Sequence, residues 1–407
     1  MIGAGSAGIA AAARLQAAGV DAILLEAGDR LGGRAHTVTP APDAVLDLGC
    51  GWLHSARQNE WTAIAPTLGF TVDDSPPSWM RPALGVNFPE ADQRAYRKVF
   101  QAFEDRLEAA ATAPDDQRAS DLILPEERRW APLLNAFSGY YNGAPFDRIS
   151  VKDYAAYQPT DDNWRVREGY GALISAFGQR LNSRLATPVS VVRHSGRSLE
   201  VVTPGGSLAA RGVIVCVSTT VLAEEGLRFD PPLPAKREAA NALPLGHVEK
   251  AFMRIDRADD FPPDSRVYGR TDTVDTASYG LKPLGMPIVE SFFGGDLAGR
   301  LVNEGPGALT AFAIDELVAA LGSDMRARLS PLSESRWGLD PLIRGAYSHA
   351  RVGHAGARAI LAEPVDDRLF FAGEACSPHA FSTCHGAYET GVGAADAAIR
   401  ALGGVRR

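Results

Sequence analysis

The strongest constraint on the fold is the glycine fingerprint that opens the chain, Met1-Ile2-Gly3-Ala4-Gly5-Ser6-Ala7-Gly8. Gly3, Gly5 and Gly8 fit G-x-G-x-x-G. The first glycine makes the tight turn out of a strand, the second lets backbone approach a pyrophosphate, and the third lets a helix pack closely on the sheet. The alanine-rich stretch from Ile9 to Ala18 is predicted to be that helix, closed by Gly19, a residue at ease in the left-handed conformation of a helix end. Ala22-Ile23-Leu24-Leu25 reads as the next strand and ends in Glu26, placed to accept from the ribose hydroxyls of an adenine dinucleotide. The motif alone is weak; followed by helix, strand and acid it specifies a Rossmann-like α/β domain. Only Met1 and Ile2 precede Gly3, so a central strand of about five residues is mostly missing. The expectation is a short first strand at some expense of stability and cofactor affinity, or a longer native start that carries further residues, a targeting segment among them.

A second glycine element, Arg30-Leu31-Gly32-Gly33-Arg34, follows the second strand where a simple nicotinamide dehydrogenase would begin another helix. Its glycines admit a pyrophosphate and Arg34 offers a planar donor fork, which points to FAD. At the other end of the chain, Leu369-Phe370-Phe371-Ala372 reads as a buried strand that stops at Gly373-Glu374. A helix is then predicted to open around Gly386-Ala387 and run to Leu402, its first N–H groups favouring negative charge. The N-terminal fingerprint, the GGR element and the FAGE segment together resemble the flavin-containing amine oxidases, a family that includes monoamine, polyamine and L-amino-acid oxidases and the lysine-specific histone demethylases. The resemblance runs from Ile2 to about Leu402.

At 407 residues the chain is long enough for two domains. The expected fold is α/β: a discontinuous Rossmann-like FAD domain from residues 1–56, 165–240 and 358–407, and an α+β substrate domain of mixed sheet and helices from 57–164 and 241–357. Helices are predicted over Ala91–Ala113 and Pro125–Phe137, and strands over Pro188–Val192, Leu199–Thr203, Val213–Val217, Lys250–Ile255 and Met286–Phe293. A net charge of −8 with 45% apolar residues argues against nucleic acid as a partner, and no apolar run is long enough to cross a bilayer. A cytoplasmic enzyme on a small-molecule amine is the expectation. Cys50, Cys216, Cys376 and Cys384 show no metal spacing and read as reduced, packed thiols.

The resemblance implies a reaction that asks little acid–base machinery of the protein: hydride passes from the carbon bearing nitrogen to the flavin N5, the imine is hydrolysed, and O2 reoxidises the flavin to give hydrogen peroxide. Lys250 opens an apolar strand after a glycine turn and resembles the family lysine that reaches the flavin through a water; a surface lysine lying on apolar groups is the plainer alternative. Tyr347 matches one wall of the family's aromatic cage, which guides an amine by its π-face. Thr383 stands where many relatives have the second wall, so the cage is at most half built. His54, in Gly49-Cys50-Gly51-Trp52-Leu53-His54, resembles a stretch of spermine and peroxisomal polyamine oxidases. A histidine there can bond the substrate amine or help keep it unprotonated, or simply hold a backbone carbonyl. Gly49, Gly51 and Trp52 would lie along the flavin ring, Val189 would meet the adenine, and Glu374 would accept from a ribityl or ribose hydroxyl.

A polyamine-like substrate is the favoured expectation. An L-amino-acid oxidase would need a fixed cation for the carboxylate, with Arg57, Arg165 and Arg344 as candidates; a desaturase-like flavoenzyme would need a long apolar tunnel; a non-catalytic or clipped flavoprotein needs neither. Ala346 occupies the position where monoamine oxidases carry a cysteine bonded to the flavin, so FAD is expected to be non-covalent. Acid precipitation of the holoprotein should therefore release the yellow chromophore into the supernatant; a yellow pellet would contradict this.

Overall fold

In the computed structural model, which describes residues 1–403, the nucleotide half is built from segments far apart in sequence. Ile2 makes parallel bridges to Leu25 on one side and Val215 on the other. Leu24–Leu25 pairs in parallel with Ser183–Arg184, and Val213–Val215 with Leu369–Phe371. The parallel order is thus 183–184, 24–25, residue 2, 213–215 and 369–371. These strands are nearly continuous Val, Ile, Leu and Phe, as a sheet covered on both faces requires. The first strand is as short as its sequence, and the Met1 amine reaches the Ile23 carbonyl at 2.7 Å.

The helices Ser6–Ala17 and Cys384–Gly403 cover one face of this sheet and pack on each other through small residues. An ideal Cβ on Gly8 would fall 1.9 Å from the Gly3 carbonyl oxygen, and one on Gly391 would fall 2.2 Å from that of Ala7. A methyl at either place would push the helix off its neighbour. Val191–Arg193, Leu199–Thr203, Gly206–Ala210 and Arg228–Asp230 form a separate four-stranded sheet.

The other half holds a five-stranded antiparallel sheet in the order Ser265–Tyr268, Ser278–Leu281, Ile288–Gly294, Val248–Ile255 and Leu329–Glu334. Its odd-numbered residues, among them Ala251, Met253, Val267, Tyr279, Leu281, Val289 and Phe293, bury one face under the helices Gly295–Glu304 and Ala308–Leu321. Because the side-chain period is two, the even-numbered residues Lys250, Tyr268, Ser278, Glu290 and Phe292 face the other way, into a cavity. Helices Glu90–Ala111, Ala131–Asn142 and Val151–Ala156 close that cavity opposite the sheet. Among the described residues no helix is long and apolar enough to cross a membrane.

Several predicted elements shift. The helix expected over Pro125–Phe137 becomes a single turn, Pro125–Glu127, and a helix from Ala131 to Asn142, because Pro132 is tolerated only in a first turn. The strand expected from Pro188 starts at Val191, since Pro188 has no N–H for the ladder. The strand Gly206–Ala210 was not foreseen; its small, mostly exposed residues carry little pattern. The last helix starts at Cys384, ahead of Gly386, because the Thr383 hydroxyl accepts from the Gly386 N–H at 3.0 Å.

Burial holds two histidines neutral. His349 is pushed down to about 4 by burial, with Asp153 opposing and Arg358 reinforcing, and His385 to about 4 by burial and then His54. Both folded values lie below the ordinary 6.5, so the unfolded chain takes the proton first. The stability these rings contribute is whole above pH 6.5 and is lost as pH falls towards 4, with a slope of about 1.4 kcal/mol per pH unit for each histidine. Urea titrations between pH 7 and 5 should show the midpoint falling with acid, and His349→Asn should flatten that slope by up to about 1.4 kcal/mol per pH unit. An unchanged slope would mean His349 is not buried neutral.

Candidate active site

One cavity of about 1180 Å³ runs from the fingerprint to the antiparallel sheet. At its first end lies the start of the helix Ser6–Ala17, whose Gly5 cap offers no side chain to the helix. Its first N–H groups and positive dipole end are therefore free for an anion. Glu26 stands at the lip, fixed by the N–H groups of Ala4 at 2.6 Å and Gly28 at 2.8 Å. Gly32 bridges to Gly5 and donates to the Ala4 carbonyl, which lays the second glycine element along the first. Val189, buried and just ahead of its strand, lines the same end.

Arg34 and Glu374 meet in the middle. The Arg34 guanidinium donates to the Glu374 carboxylate at 2.8 Å and to the Ala346 carbonyl. Glu374 also accepts from the Ser348 N–H and hydroxyl and from the Ser382 N–H. Burial alone would raise this carboxyl, but Arg34 and then Arg358 outweigh it and hold it below the ordinary value. Four protein donors on its two oxygens fix Glu374 at this loop junction, on the wall of the cavity.

At the far end, a Cβ on Gly49 would fall 1.8 Å from the Arg34 carbonyl oxygen, and one on Gly51 would stand 3.5 Å from the Lys250 Nζ. The backbone of 49–51 thus passes close beneath the lysine. Lys250 is buried, donates to the Asp47 carbonyl at 3.0 Å and pairs with Glu290 at 2.8 Å. His54 Nδ1 bonds the Asn163 amide oxygen at 2.6 Å, which leaves Nε2 with the lone pair. Burial lowers its affinity for a proton, the Asn163 bond opposes this, and Lys250 adds to it; the ring is neutral at pH 7. The Tyr347 hydroxyl donates to the Tyr140 carbonyl, so its ring, and not its oxygen, is offered to the cavity. Burial drives that phenol far above its ordinary value. Trp52 packs edge-on against Trp79 at 4.3 Å and under Arg165 at 4.9 Å.

The cavity therefore joins seventeen of the nineteen residues expected from sequence. Gly8 and Gly386 stand behind its wall; they serve helix packing, since a Cβ on Gly386 would fall 1.9 Å from the Ala380 carbonyl oxygen. Thr383 lines the cavity, but its hydroxyl is spent on Ala380 and Gly386. The Cys384 sulfur lies 2.9 Å from that of Cys50 in the cavity wall. An uncapped helix start, two apposed glycine turns and a hollow leading from them to Lys250 suit an extended dinucleotide with a flat ring at the inner end.

The comparisons agree with this geometry. The family described as flavin containing amine oxidoreductase matches residues 6–129 and 106–399. The chain belongs to that family. Polyamine oxidase 3 of Oryza sativa subsp. japonica is 30% identical over 97% of this chain and 88% of its own. Lysine-specific histone demethylase 1 homolog 2 of Arabidopsis thaliana is 26% identical over 96% of this chain but only 57% of its own. Among solved structures, a wild-type putrescine oxidase bound to putrescine superposes with a TM-score of 0.78 at 21% identity, covering 100% of this chain and 98% of that one. Cyclohexylamine oxidase from Brevibacterium oxydans gives 0.78 at 20% identity over 99% and 98%. This family member is an FAD-dependent oxidoreductase acting on CH–NH groups, with the α/β FAD-binding fold and a substrate domain.

Sequence reasoning missed the partners of its own candidates. Glu290 in Ile288-Val289-Glu290-Ser291-Phe292-Phe293 is a lone charge among largely apolar residues, a readable signal of a buried partner for Lys250. Ser348, Arg358 and Asp153 gave no such signal, because they meet only through the fold. Of the three arginines considered for a carboxylate, Arg57 pairs with Asp162, Arg165 with Asp264 and Arg344 with Glu224. Lys250→Met should keep FAD bound yet slow flavin reduction or reoxidation by at least about tenfold in stopped-flow traces. Equal rates for both half-reactions would remove Lys250 from the mechanism.

Proposed function

We propose that the enzyme oxidises a polyamine-like amine, with the near nitrogen held between Lys250, His54 and Tyr347. The observation that carries this reading is the joining of a dinucleotide-shaped hollow to a chamber walled by aromatic rings. Phe100 lies 4.6 Å from Phe137, which stacks on Tyr141 at 4.6 Å, and Tyr347 stands deeper in. The polyamine oxidases among the relatives support the substrate class. The proposed two-domain division takes 1–56, 165–240 and 358–407 as the FAD domain and 57–164 and 241–357 as the substrate domain.

Bound FAD supplies the acceptor for a hydride from the carbon that bears the reacting nitrogen. Gly3, Gly5, Gly32, Gly33 and Arg34 would hold its phosphates, Glu26 its ribose, and Gly49, Gly51 and Gly373 its ring end. The remaining tasks fall to side chains. The neutral His54 accepts from the substrate amine through Nε2, and an amine without its extra proton is the one able to give up hydride. The Tyr347 face orients the nitrogen by its π-electrons. Lys250, fixed by Glu290 and the Asp47 carbonyl, keeps a cation beside the 49–51 backbone. The surrounding rings exclude bulk water until the imine leaves to be hydrolysed. With O2 as the electron acceptor the second half-reaction gives hydrogen peroxide. An L-amino-acid oxidase is disfavoured at the three arginines first considered, all of which are ion-paired.

Anaerobic mixing of FAD-loaded protein with single amines and amino acids tests the reading. Spermine or spermidine should bleach the oxidised-flavin band and L-amino acids should not. Bleaching by an L-amino acid alone would overturn it.

A further inference from the structure

Arg266 is a cation without a counterpart. It lies in the edge strand Ser265–Tyr268 and lines the cavity. Its Nε is shut off from solvent with no hydrogen-bond partner, and no carboxylate among the described residues comes within ion-pair distance. By contrast, Arg254 pairs with Asp43 and Arg328 with Asp260. One face of the Arg266 guanidinium is covered by the Tyr268 ring at 4.5 Å, which fixes its plane and leaves its edges free. The strand itself is held: the Leu84 N–H bonds the Arg266 carbonyl at 2.8 Å, and Asn87 bonds the carbonyls of Tyr268 and Gly269. A guanidinium kept rigid, part-desolvated and unpaired is a site for a planar anion.

The register of the sheet gives its place. Phe252, Glu290, Gly280 and Arg266 form one row across four strands. Glu290 is already committed to Lys250, and Gly280 contributes no side chain, so the floor between Glu290 and Arg266 is open. Lys250 is three strands away, roughly 14 Å at ordinary strand spacing. The gap is the length of an extended aminoalkyl chain, not of a small amino acid. Among the other wall charges without an ion pair are Arg97, Glu108 and Glu104, all on the helix Glu90–Ala111; Glu104 takes the Tyr154 hydroxyl at 3.3 Å. It suits a second nitrogen along such a chain and does not neutralise Arg266.

We infer that Arg266 is a specificity-determining residue that binds a carboxylate at the far end of the substrate, so that the preferred amine is a polyamine-type chain ending in a carboxylate. A free ammonium at that end would be set against the guanidinium. The inference rests on the amine-oxidation reading for the near end of the substrate.

A matched set tests it: N-(3-aminopropyl)-4-aminobutanoate, its primary amide, and spermidine, which differ only at one end. With FAD-loaded protein mixed anaerobically, the carboxylate compound should half-saturate flavin reduction at a concentration about 10- to 100-fold lower than spermidine. Arg266→Met should abolish that preference while leaving spermidine unchanged or better bound, and Arg266→Lys should restore part of it. Equal half-saturation by spermidine, or no effect of Arg266→Met on the carboxylate compound, would overturn the inference. If none of the three bleaches the flavin, the proposed reaction fails but calorimetry still decides the site. Binding of the carboxylate compound that weakens in Arg266→Met upholds it; identical binding in both proteins sinks it.

Discussion

The active site depends on a buried polar chain centred on Glu374. Arg34 and the N–H groups of Ser348 and Ser382 converge on its carboxylate, the Ser348 hydroxyl bonds it and in turn accepts from Arg358, and Arg358 pairs with Asp153 at 2.6 Å. Five segments widely separated in sequence are thereby held at one point, and each contributes to a wall of the cavity or stands directly behind one. Removing one partner of such a buried pair typically costs about 3–5 kcal/mol, because the other charge is left without compensation. Satisfied throughout, the chain fixes the relation of the glycine turns to the 346–348 segment, and so of the cofactor's site to Tyr347.

A second constraint is the pleat of the antiparallel sheet. Its odd face is spent on a dry core beneath two helices, which turns Lys250, Arg266, Tyr268, Ser278, Glu290 and Phe292 towards the cavity. Charge on that face is arranged by register. Lys250 meets Glu290 from the neighbouring strand, and Arg266 lies beyond a glycine with nothing to meet. A one-residue slip would bury all three charges in the apolar core, so the register that makes the core also makes the pattern a substrate encounters.

Much of this was legible in the sequence. The fingerprint, the acid-ended strand and the FAGE segment announced the nucleotide half because tight turns and close backbone approach admit few residues besides glycine. The strand that Lys250 opens was read from its apolar run and supplies part of the cavity floor. The helix boundary at Pro132 and the weak strand 206–210 were misread because one helix was carried through a proline that only a first turn tolerates, and small exposed residues carry no periodicity. The protein donors to Glu374 were not legible, because they come from Arg34, Ser348 and Ser382, which no spacing connects.

The sequence by itself determined the cofactor class, the α/β half that receives it and the elements carrying Lys250, His54 and Tyr347, since local geometry and burial pattern are written in neighbouring residues. Only the tertiary structure decided which charges are paired. It consumed Arg57, Arg165 and Arg344 in ion pairs and left Arg266 bare over an open glycine, because pairing depends on strand register and on contacts between segments a hundred or more residues apart.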